Sequence, residues 1–132
     1  MTEPRSLKTF PVHLGLGASA APQPEFTGLD WYEAYSARTA DDGKEGRLVA
    51  LHDFSESWTS WEMHPEGDEV VICISGRITL IQECEGDQQN TIALEAGDYA
   101  INAAGIWHTA DTDGPASALF ITAGAGTCHR PR

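Results

Sequence analysis

Four ionisable side chains lie in stretches of sequence that otherwise have the apolar character of a protein core. Glu62 and His64 belong to SWEMHPEGDEVVICISG, where Glu69 opens the most apolar run, and His108 belongs to AGDYAINAAGIWHTADT. Two residues apart on an extended strand, Glu62 and His64 point to the same face. A buried carboxylate costs several kcal/mol without a compensating charge. Because imidazole and carboxylate together bind Fe, Mn, Ni or Zn, the four residues predict a metal site. From the residues alone, hydrogen-bonded core histidines remain an equally good interpretation.

Short segments with strand character follow one another through most of the chain. We expect strands within residues 29–39, 46–54, 57–64, 69–75, 77–84, 91–98, 99–103, 105–112 and 117–124. Glycine-containing turns separate many of them, and no segment has convincing helical periodicity. This pattern predicts an all-β barrel or sandwich.

The length of 132 residues and the hydrophobic content of 41% predict one domain with one sizeable core. We expect the barrel to occupy residues 29–126, with a C-terminal tail over 127–132. Residues 1–28 are rich in Pro, Ala, Ser and Gly and predict an arm with little regular structure. The arm is either loose or pairs with a second subunit, with Phe10, Val12 and Phe26 as anchors.

The charge balance excludes two classes of partner. Eight Lys and Arg residues face twenty Asp and Glu residues, for a net charge of -12. Nucleic acids and anionic membranes require clustered positive charge, so we expect neither. The apolar runs are too short to span a bilayer, and the N-terminus lacks the apolar core of a signal peptide. Cys73, Cys84 and Cys128 form no C-x-x-C pair, which predicts free thiols and a cytoplasmic location.

The two segments that hold the four residues resemble the paired motifs of the cupin superfamily. The first cupin motif runs Gly, five residues, His-x-His, three or four residues, Glu, six residues, Gly. Here His64 stands at its second His, followed by Glu69 and then Gly76 at the required spacing. The second motif is matched at Gly97, Gly105 and His108. The resemblance implies a single-domain cupin barrel, a double-stranded β-helix of the jelly-roll type.

Three positions depart from the cupin motifs: Glu62 replaces the first His, Ala103 the Pro and Thr112 the Asn. If Glu62 is a ligand, the metal has two His and two carboxylates, which favours Fe(II) or Mn(II), with Zn or Ni also possible. Otherwise His64, Glu69 and His108 form a facial triad, and Glu62 is a catalytic acid or base beside it. A third alternative is a site that has lost its metal.

Four further residues are candidates for a substrate pocket: Trp58, Cys73, Arg77 and Trp107. Cys73 and Arg77 have the strand parity of Glu69, and Trp58 has that of Glu62. The competing interpretation makes Cys73 a small buried hydrophobe and packs Trp107 between the sheets. We expect no metal role for the remaining histidines, with His13 and His129 exposed and His52 on a strand of ambiguous direction.

The resemblance implies a metal-dependent enzyme that acts on a small organic molecule by Lewis-acid activation. Single-domain cupins include dioxygenases, isomerases, lyases and decarboxylases, and the fold does not choose among these oxidoreductase and isomerase chemistries. The shortage of inward basic residues favours a small apolar or monoanionic ligand. The alternatives are a non-catalytic module that binds a metal or small molecule, and a structural dimer with a vestigial cavity.

The run from Val70 to Ile74 also predicts a homodimer. Val70, Ile72 and Ile74 point away from the barrel interior if Val71 and Cys73 point into it. An outward stripe of β-branched residues needs cover, either from the N-terminal arm or from a second subunit.

Overall fold

The computed structural model describes residues 2–132 as two antiparallel sheets that enclose a common interior. The strands are β1 (Val12–Gly15), β2 (Ser19–Pro22), β3 (Arg47–Phe54), β4 (Ser60–Met63), β5 (Glu69–Ser75), β6 (Arg77–Glu83), β7 (Gln89–Glu95), β8 (Tyr99–Asn102), β9 (His108–Asp111), β10 (Ala116–Thr122) and β11 (Cys128–Pro131). One sheet has the order β2-β1-β3-β10-β5-β8, and the other has the order β11-β4-β9-β6-β7. The predicted all-β jelly-roll barrel is therefore confirmed.

The alternation of side chains along β5 shows how the sequence builds the barrel. Glu69, Val71 and Cys73 are buried, and the residues between them are more exposed. At the end of this strand Gly76 adopts a φ of 73°, and a Cβ there would lie 2.4 Å from the carbonyl oxygen of Pro115. Only glycine fits this turn, which reverses the chain into β6.

The first predicted strand is wrong, because residues Leu29–Thr39 form a helix, α1. Trp31 and Tyr35, four residues apart, are buried on one face, and their rings stack at 5.3 Å between centroids. Asp30 in the first turn and Arg38 in the last turn complement the helix dipole. The aromatic residues that indicated a strand are the ones that attach the helix to the barrel.

The N-terminal arm has more regular structure than expected. β1 and β2 form a hairpin, and β1 continues the six-stranded sheet through the pairing of Val12 with Val49 of β3. Phe26 packs on a small second core around Trp31. Phe10 lies under the guanidinium of Arg5, 5.0 Å from its carbon to the ring centroid, so all three proposed anchors contact their own chain.

The C-terminal tail is also more ordered than expected. Its residues Cys128–Pro131 form β11, which pairs with β4 at the edge of the five-stranded sheet. Arg130 on this strand lies over the rings of Trp61 and Trp107, with 5.4 Å and 4.4 Å between the guanidinium carbon and the ring centroids. It also forms an ion pair with Glu83. These contacts explain why a short polar segment is held in a sheet.

The main core fills the barrel beside the site described below, with Val71, Cys73, Ile78, Leu80 and Leu94 almost completely buried. All three cysteines are free. Within residues 2–132, no helix has the length and apolar character needed to cross a membrane.

An apolar surface lies on the outer face of β5 and β8. Val70 pairs with Ile101 and Ile72 pairs with Tyr99 across these strands. Tyr99 is 65% exposed, Ile101 is 52% exposed and Ile74 is 46% exposed. The N-terminal hairpin extends the same sheet at its opposite edge, beyond β3 and β10, and therefore does not supply cover by pairing with these strands.

Candidate metal centre and its cavity

Two rows of paired residues bring the four predicted ligands together. In the five-stranded sheet Glu62 of β4 pairs with His108 of β9 on one side and with His129 of β11 on the other. In the six-stranded sheet Glu69 of β5 pairs with Asn102 of β8 and Thr122 of β10. The strand registers therefore place the two glutamates and His108, while His64 follows β4 directly.

The ligand atoms of Glu62, His64, Glu69 and His108 all lie within 4.8 Å of one another. His64 Nε2 is 3.0 Å from Glu62 Oε1 and 3.1 Å from Glu69 Oε2. His108 Nε2 is 3.4 Å from Glu62 Oε1 and 3.3 Å from Glu69 Oε1. Both ring nitrogens are buried without an aligned hydrogen-bond partner among the described residues. Nitrogens left in this way at a common centre fit a shared cation.

The second nitrogen of each imidazole determines which tautomer fits the site. The Thr127 hydroxyl donates to the carbonyl of Gly124 at 2.8 Å, so it accepts a hydrogen from His64 Nδ1, also at 2.8 Å. His108 Nδ1 faces the carbonyl of Ile106 at 3.4 Å, which can only accept. In the neutral form both rings therefore carry hydrogen on Nδ1 and leave a lone pair on Nε2 for a metal.

Neighbouring polar groups orient Glu69, which is 2% exposed. Thr122 donates to Glu69 Oε2 at 2.6 Å, and the Asn102 amide donates to Oε1 at 3.1 Å. Gln82 donates in turn to the Asn102 side-chain oxygen at 2.8 Å. Both carboxylate oxygens are therefore fixed in direction, as is typical of a buried ligand. Sequence reasoning did not identify these residues, because only the register places them beside Glu69.

The electrostatics of the four side chains are mutually dependent. Burial by itself raises the pKa of Glu69, but contact with His108 and His64 outweighs it and the pKa falls to about 2. Burial likewise opposes the charged form of Glu62, and the same imidazoles hold its pKa well below the usual range. Burial lowers the pKa of each histidine, yet contact with the two carboxylates raises it to about 9 for His64 and His108. Without a metal, two imidazolium ions thus balance two carboxylates.

Glu62 differs from Glu69 because it connects the buried cluster with the surface. Its Oε1 faces the imidazoles of His64 and His108, and its Oε2 lies 2.9 Å from Nε2 of His129. The His129 side chain is 56% exposed. The expectation that His129 lies at the surface is correct, but its contact with Glu62 was not foreseen.

A cavity of about 520 Å³ opens from the cluster. Glu62, His64 and Glu69 line its metal end, a name used below for the end formed by these three residues and His108. Helix α1 lines another part, called the helix side, with Leu29, Tyr32, Glu33, Tyr35 and Ser36. The volume of the whole cavity lies within the range of roughly 300–1,000 Å³ that is usual for small-molecule sites.

Of the four residues proposed for the substrate pocket, Trp58 lines the cavity and the other three do not. Trp58 lines the cavity and lies 6.3 Å from the His108 ring. Cys73 is fully buried in the main core, with its thiol 3.6 Å from the carbonyl of Ser75, and does not line the cavity. Its prediction as a pocket residue is wrong, because the part of the interior around Cys73 is filled by core side chains.

The predictions for Arg77 and Trp107 are also wrong. Arg77 points outward and pairs with Glu95 at 3.1 Å, because the turn at Gly76 resets the alternation that began at Glu69. Trp107 packs against the guanidinium of Arg130 instead of lining the cavity.

Two histidines outside the cluster have roles that were missed. His52 lines the cavity with Leu48, Ala50 and Phe54, since alternate residues of β3 face inward. His13 was expected to be exposed but is only 6% exposed. Its Nδ1 lies 2.6 Å from the Tyr35 hydroxyl and its Nε2 lies 2.7 Å from Asp42 Oδ2, so it joins the N-terminal hairpin to α1 and the turn that follows.

The comparison with family models agrees with this architecture. The model of the cupin domain family, Cupin_2, matches residues 55–123, about half of the chain. No protein among the curated sequences matches the chain.

Solved structures show the same fold at low sequence identity. Hydroquinone 1,2-dioxygenase from Sphingomonas sp. TTNP3 is 18% identical, with a TM-score of 0.51 over 58% of this chain and 59% of that chain. Oxalate decarboxylase from Lactobacillus farciminis is 14% identical, with a TM-score of 0.57 over 73% of this chain and 29% of that chain. An uncharacterised Klebsiella pneumoniae protein with a double-stranded β-helix domain is 23% identical, with a TM-score of 0.53 over 65% and 76% of the two chains. The matches thus span less than two thirds of both enzymes, and at these identities they show the fold alone.

Proposed function

The chain belongs to the cupin domain family, and on that premise we propose that it is a metal-dependent enzyme acting on a small organic molecule. Glu62, His64, Glu69 and His108 would hold one divalent ion, with Fe(II) or Mn(II) favoured by the two carboxylates. The observation that carries the proposal is the convergence of two buried imidazole nitrogens, each with its lone pair free in the neutral tautomer, on two carboxylates.

The access of the cavity to the cluster supports an enzyme over a closed structural site. Three of the four ligand residues line the cavity, so a small molecule can approach the centre from that side. The bound ion would act as a Lewis acid toward a carbonyl, carboxylate or hydroxyl oxygen of the substrate. An open cavity also argues against a purely structural role, for which bulky apolar side chains would fill this space.

The two oxygens of Glu62 suit two different tasks. Oε1 faces the imidazole nitrogens and is the atom we assign to the metal, while Oε2 accepts a hydrogen bond from His129, which holds the carboxylate in place. In the alternative assignment Glu62 stays off the metal and takes or gives the substrate proton, with His129 as its contact to solvent. A Glu62→Gln variant distinguishes the two assignments, because the amide weakens metal binding only if Glu62 is a ligand.

The charge of the loaded site restricts the reaction that it can carry out. Two carboxylates contribute −2, two neutral imidazoles contribute nothing and a divalent ion contributes +2, so the centre is formally neutral. Among the described residues that line the cavity, none is Lys or Arg. The site therefore favours a neutral or monoanionic substrate, whose oxygen would bind at the metal end. The enzymes among the structural relatives are named for reactions on small organic molecules, which is consistent with this class.

Metal titration by calorimetry tests the proposal without knowledge of the substrate. We expect one divalent ion per chain and, at pH 7, release of about two protons, because both histidines must lose their protons to bind it. His108→Ala should abolish binding, and His52→Gln, which alters the same cavity outside the cluster, should leave it unchanged. Equal metal affinity in folded His108→Ala and wild-type protein would contradict the proposal.

We also propose that the outer face of β5 and β8 binds a second copy of the chain. Tyr99, Ile101 and Ile74 are exposed there beside Val70 and Ile72, and the N-terminal hairpin lies at the opposite edge of the sheet. In light scattering at micromolar concentration we expect twice the chain mass of 14.2 kDa. Ile101→Glu should give monomers, and Leu16→Glu, at an exposed leucine outside this face, should not. A monomeric wild-type protein would contradict this proposal and leave the metal proposal intact.

A further inference from the structure

A second polar pair lies in the cavity, apart from the metal ligands. The Tyr32 hydroxyl of α1 is 3.3 Å from Nε2 of His52 on β3, and both side chains line the cavity. The His52 ring contacts the rings of Phe26 and Phe120, at centroid distances of 5.3 Å and 5.9 Å. A phenol both donates and accepts, so one contact with the imidazole leaves Tyr32 able to bind a second partner.

The pair is uncharged at neutral pH. Burial lowers the pKa of His52, although the carboxylates of Glu62 and Asp53 act in the opposite direction. Burial raises the pKa of Tyr32 to about 12, and the negative charges of Glu62 and Glu69 add to this. Tyr32 and His52 line the same cavity as Glu62 and Glu69, so one bound molecule can contact both the pair and the metal end. A neutral pair suits a neutral hydroxyl group better than a carboxylate or phosphate, which would need a cation.

Aromatic rings form the wall beside this pair. Phe54, Trp58 and Phe120 all line the cavity, and each ring lies 6.0 to 6.1 Å from the other two between centroids. Their tilted and edge-to-face arrangement presents apolar ring surfaces to the interior of the cavity. Such surfaces bind another planar ring more favourably than a flexible polar chain.

We propose that the substrate is a neutral aromatic hydroxy compound, whose ring packs on Phe54, Trp58 and Phe120 and whose hydroxyl group hydrogen-bonds to Tyr32 and His52. The proposal rests on the proposed function, because it places a reacting oxygen of the same molecule at the metal end. Tyr32 and His52 determine specificity in this account. Both lie outside residues 55–123, so the hydrogen bonds that select the hydroxyl group come from the part of the chain that the family model does not cover.

The test compares phenol with toluene, which has nearly the same shape but no hydroxyl group. Binding of each is measured by chemical-shift perturbation on Zn(II)-loaded and metal-free protein. We expect wild-type protein to prefer phenol by roughly three- to tenfold, the value of one net hydrogen bond. In metal-free protein the preference should fall in Tyr32→Phe and vanish in the double variant Tyr32→Phe/His52→Leu, while toluene affinity changes little in Tyr32→Phe. Tyr99→Phe, an exposed tyrosine on the outer face, is the matched control and should keep the full preference.

The outcomes separate this inference from the metal proposal. An unchanged preference for phenol in the metal-free double variant would overturn the assignment of Tyr32 and His52, whatever the metal titration shows. Benzoate binding to metal-free wild-type protein as tightly as phenol would overturn the preference for a neutral group. If the chain binds no metal but phenol recognition depends on Tyr32 as expected, the binding pair stands and the enzymatic proposal fails.

Discussion

The metal end and the helix side of the cavity are held in place by different kinds of contact. At the metal end, strand register places Glu62 opposite His108 and Glu69 opposite Asn102, and polar groups such as Thr127 fix the direction of the side chains. On the helix side, α1 is attached by the stacked rings of Trp31 and Tyr35 and by the buried His13. The metal end thus depends on strand register and hydrogen bonds, whereas the helix side depends mainly on aromatic packing. Mutations should therefore affect the two regions separately.

The largest expected effect is on the stability of the helix side. Trp31→Ala removes a ring that is 5% exposed and stacked on Tyr35, so the free energy of unfolding should fall by about 3–5 kcal/mol. Urea denaturation measures this change, with Leu29→Ala on the same helix, a position 85% exposed, as the control. Metal affinity should stay within about twofold of wild type if the two regions are independent. A parallel loss of metal affinity in folded protein would show that the helix also supports the metal end.

A smaller effect is expected from loss of the group that orients His64. Thr127→Val keeps the shape of the side chain but removes the acceptor for His64 Nδ1, so metal affinity should fall by about 10- to 100-fold. Thr91→Val, at an exposed position on β7, should have no effect. Competition with a chelating dye measures the affinities. If Thr127→Val binds metal like wild type, the tautomer of His64 is not determined by Thr127.

A further expected effect is a dependence of thermal stability on pH that arises at the metal end. In the metal-free protein the pKa of His64 and of His108 is about 9, above the unfolded value of 6.5. The stabilisation from these charged rings is therefore fully present below about pH 6.5 and is lost as pH rises through about 9. The melting temperature of metal-free protein should therefore fall as the pH rises over this interval.

The metal-loaded protein provides the control for the pH experiment, because it has the same surface charge. Metal binding already requires neutral imidazoles, so it should strengthen with pH, and the loaded protein should not show the same fall. Identical pH profiles with and without the metal would mean that His64 and His108 are not coupled to it.

The same contrast between the two regions explains what the sequence could predict. The barrel strands follow local alternation and glycine turns, as in β5 and Gly76, and eight of the nine predicted strand segments contain a strand. Glu62, His64, Glu69 and His108 could be selected because charged residues in apolar strands are costly without compensation. Their convergence, and the polar groups that orient them, depend on register between distant strands and could not be derived locally.

The helix side was mispredicted because its residues have two interpretations. Aromatic residues indicate a strand by propensity, but the spacing of Trp31 and Tyr35, with Gly28 before the helix and Arg38 in its last turn, is equally typical of a short helix. Burial of His13 depends on Tyr35 and Asp42, which are distant in the chain. No local pattern around His13 indicates those contacts.

A crystal structure of the protein grown with Mn(II), with anomalous scattering to locate the ion, tests the central claim most directly. We predict one ion in direct contact with Oε1 of Glu62, the Nε2 atoms of His64 and His108 and a carboxylate oxygen of Glu69. A coordination position should remain open toward the cavity. An ion bound elsewhere, or a fully loaded crystal in which Glu69 and His108 do not contact it, would contradict the account.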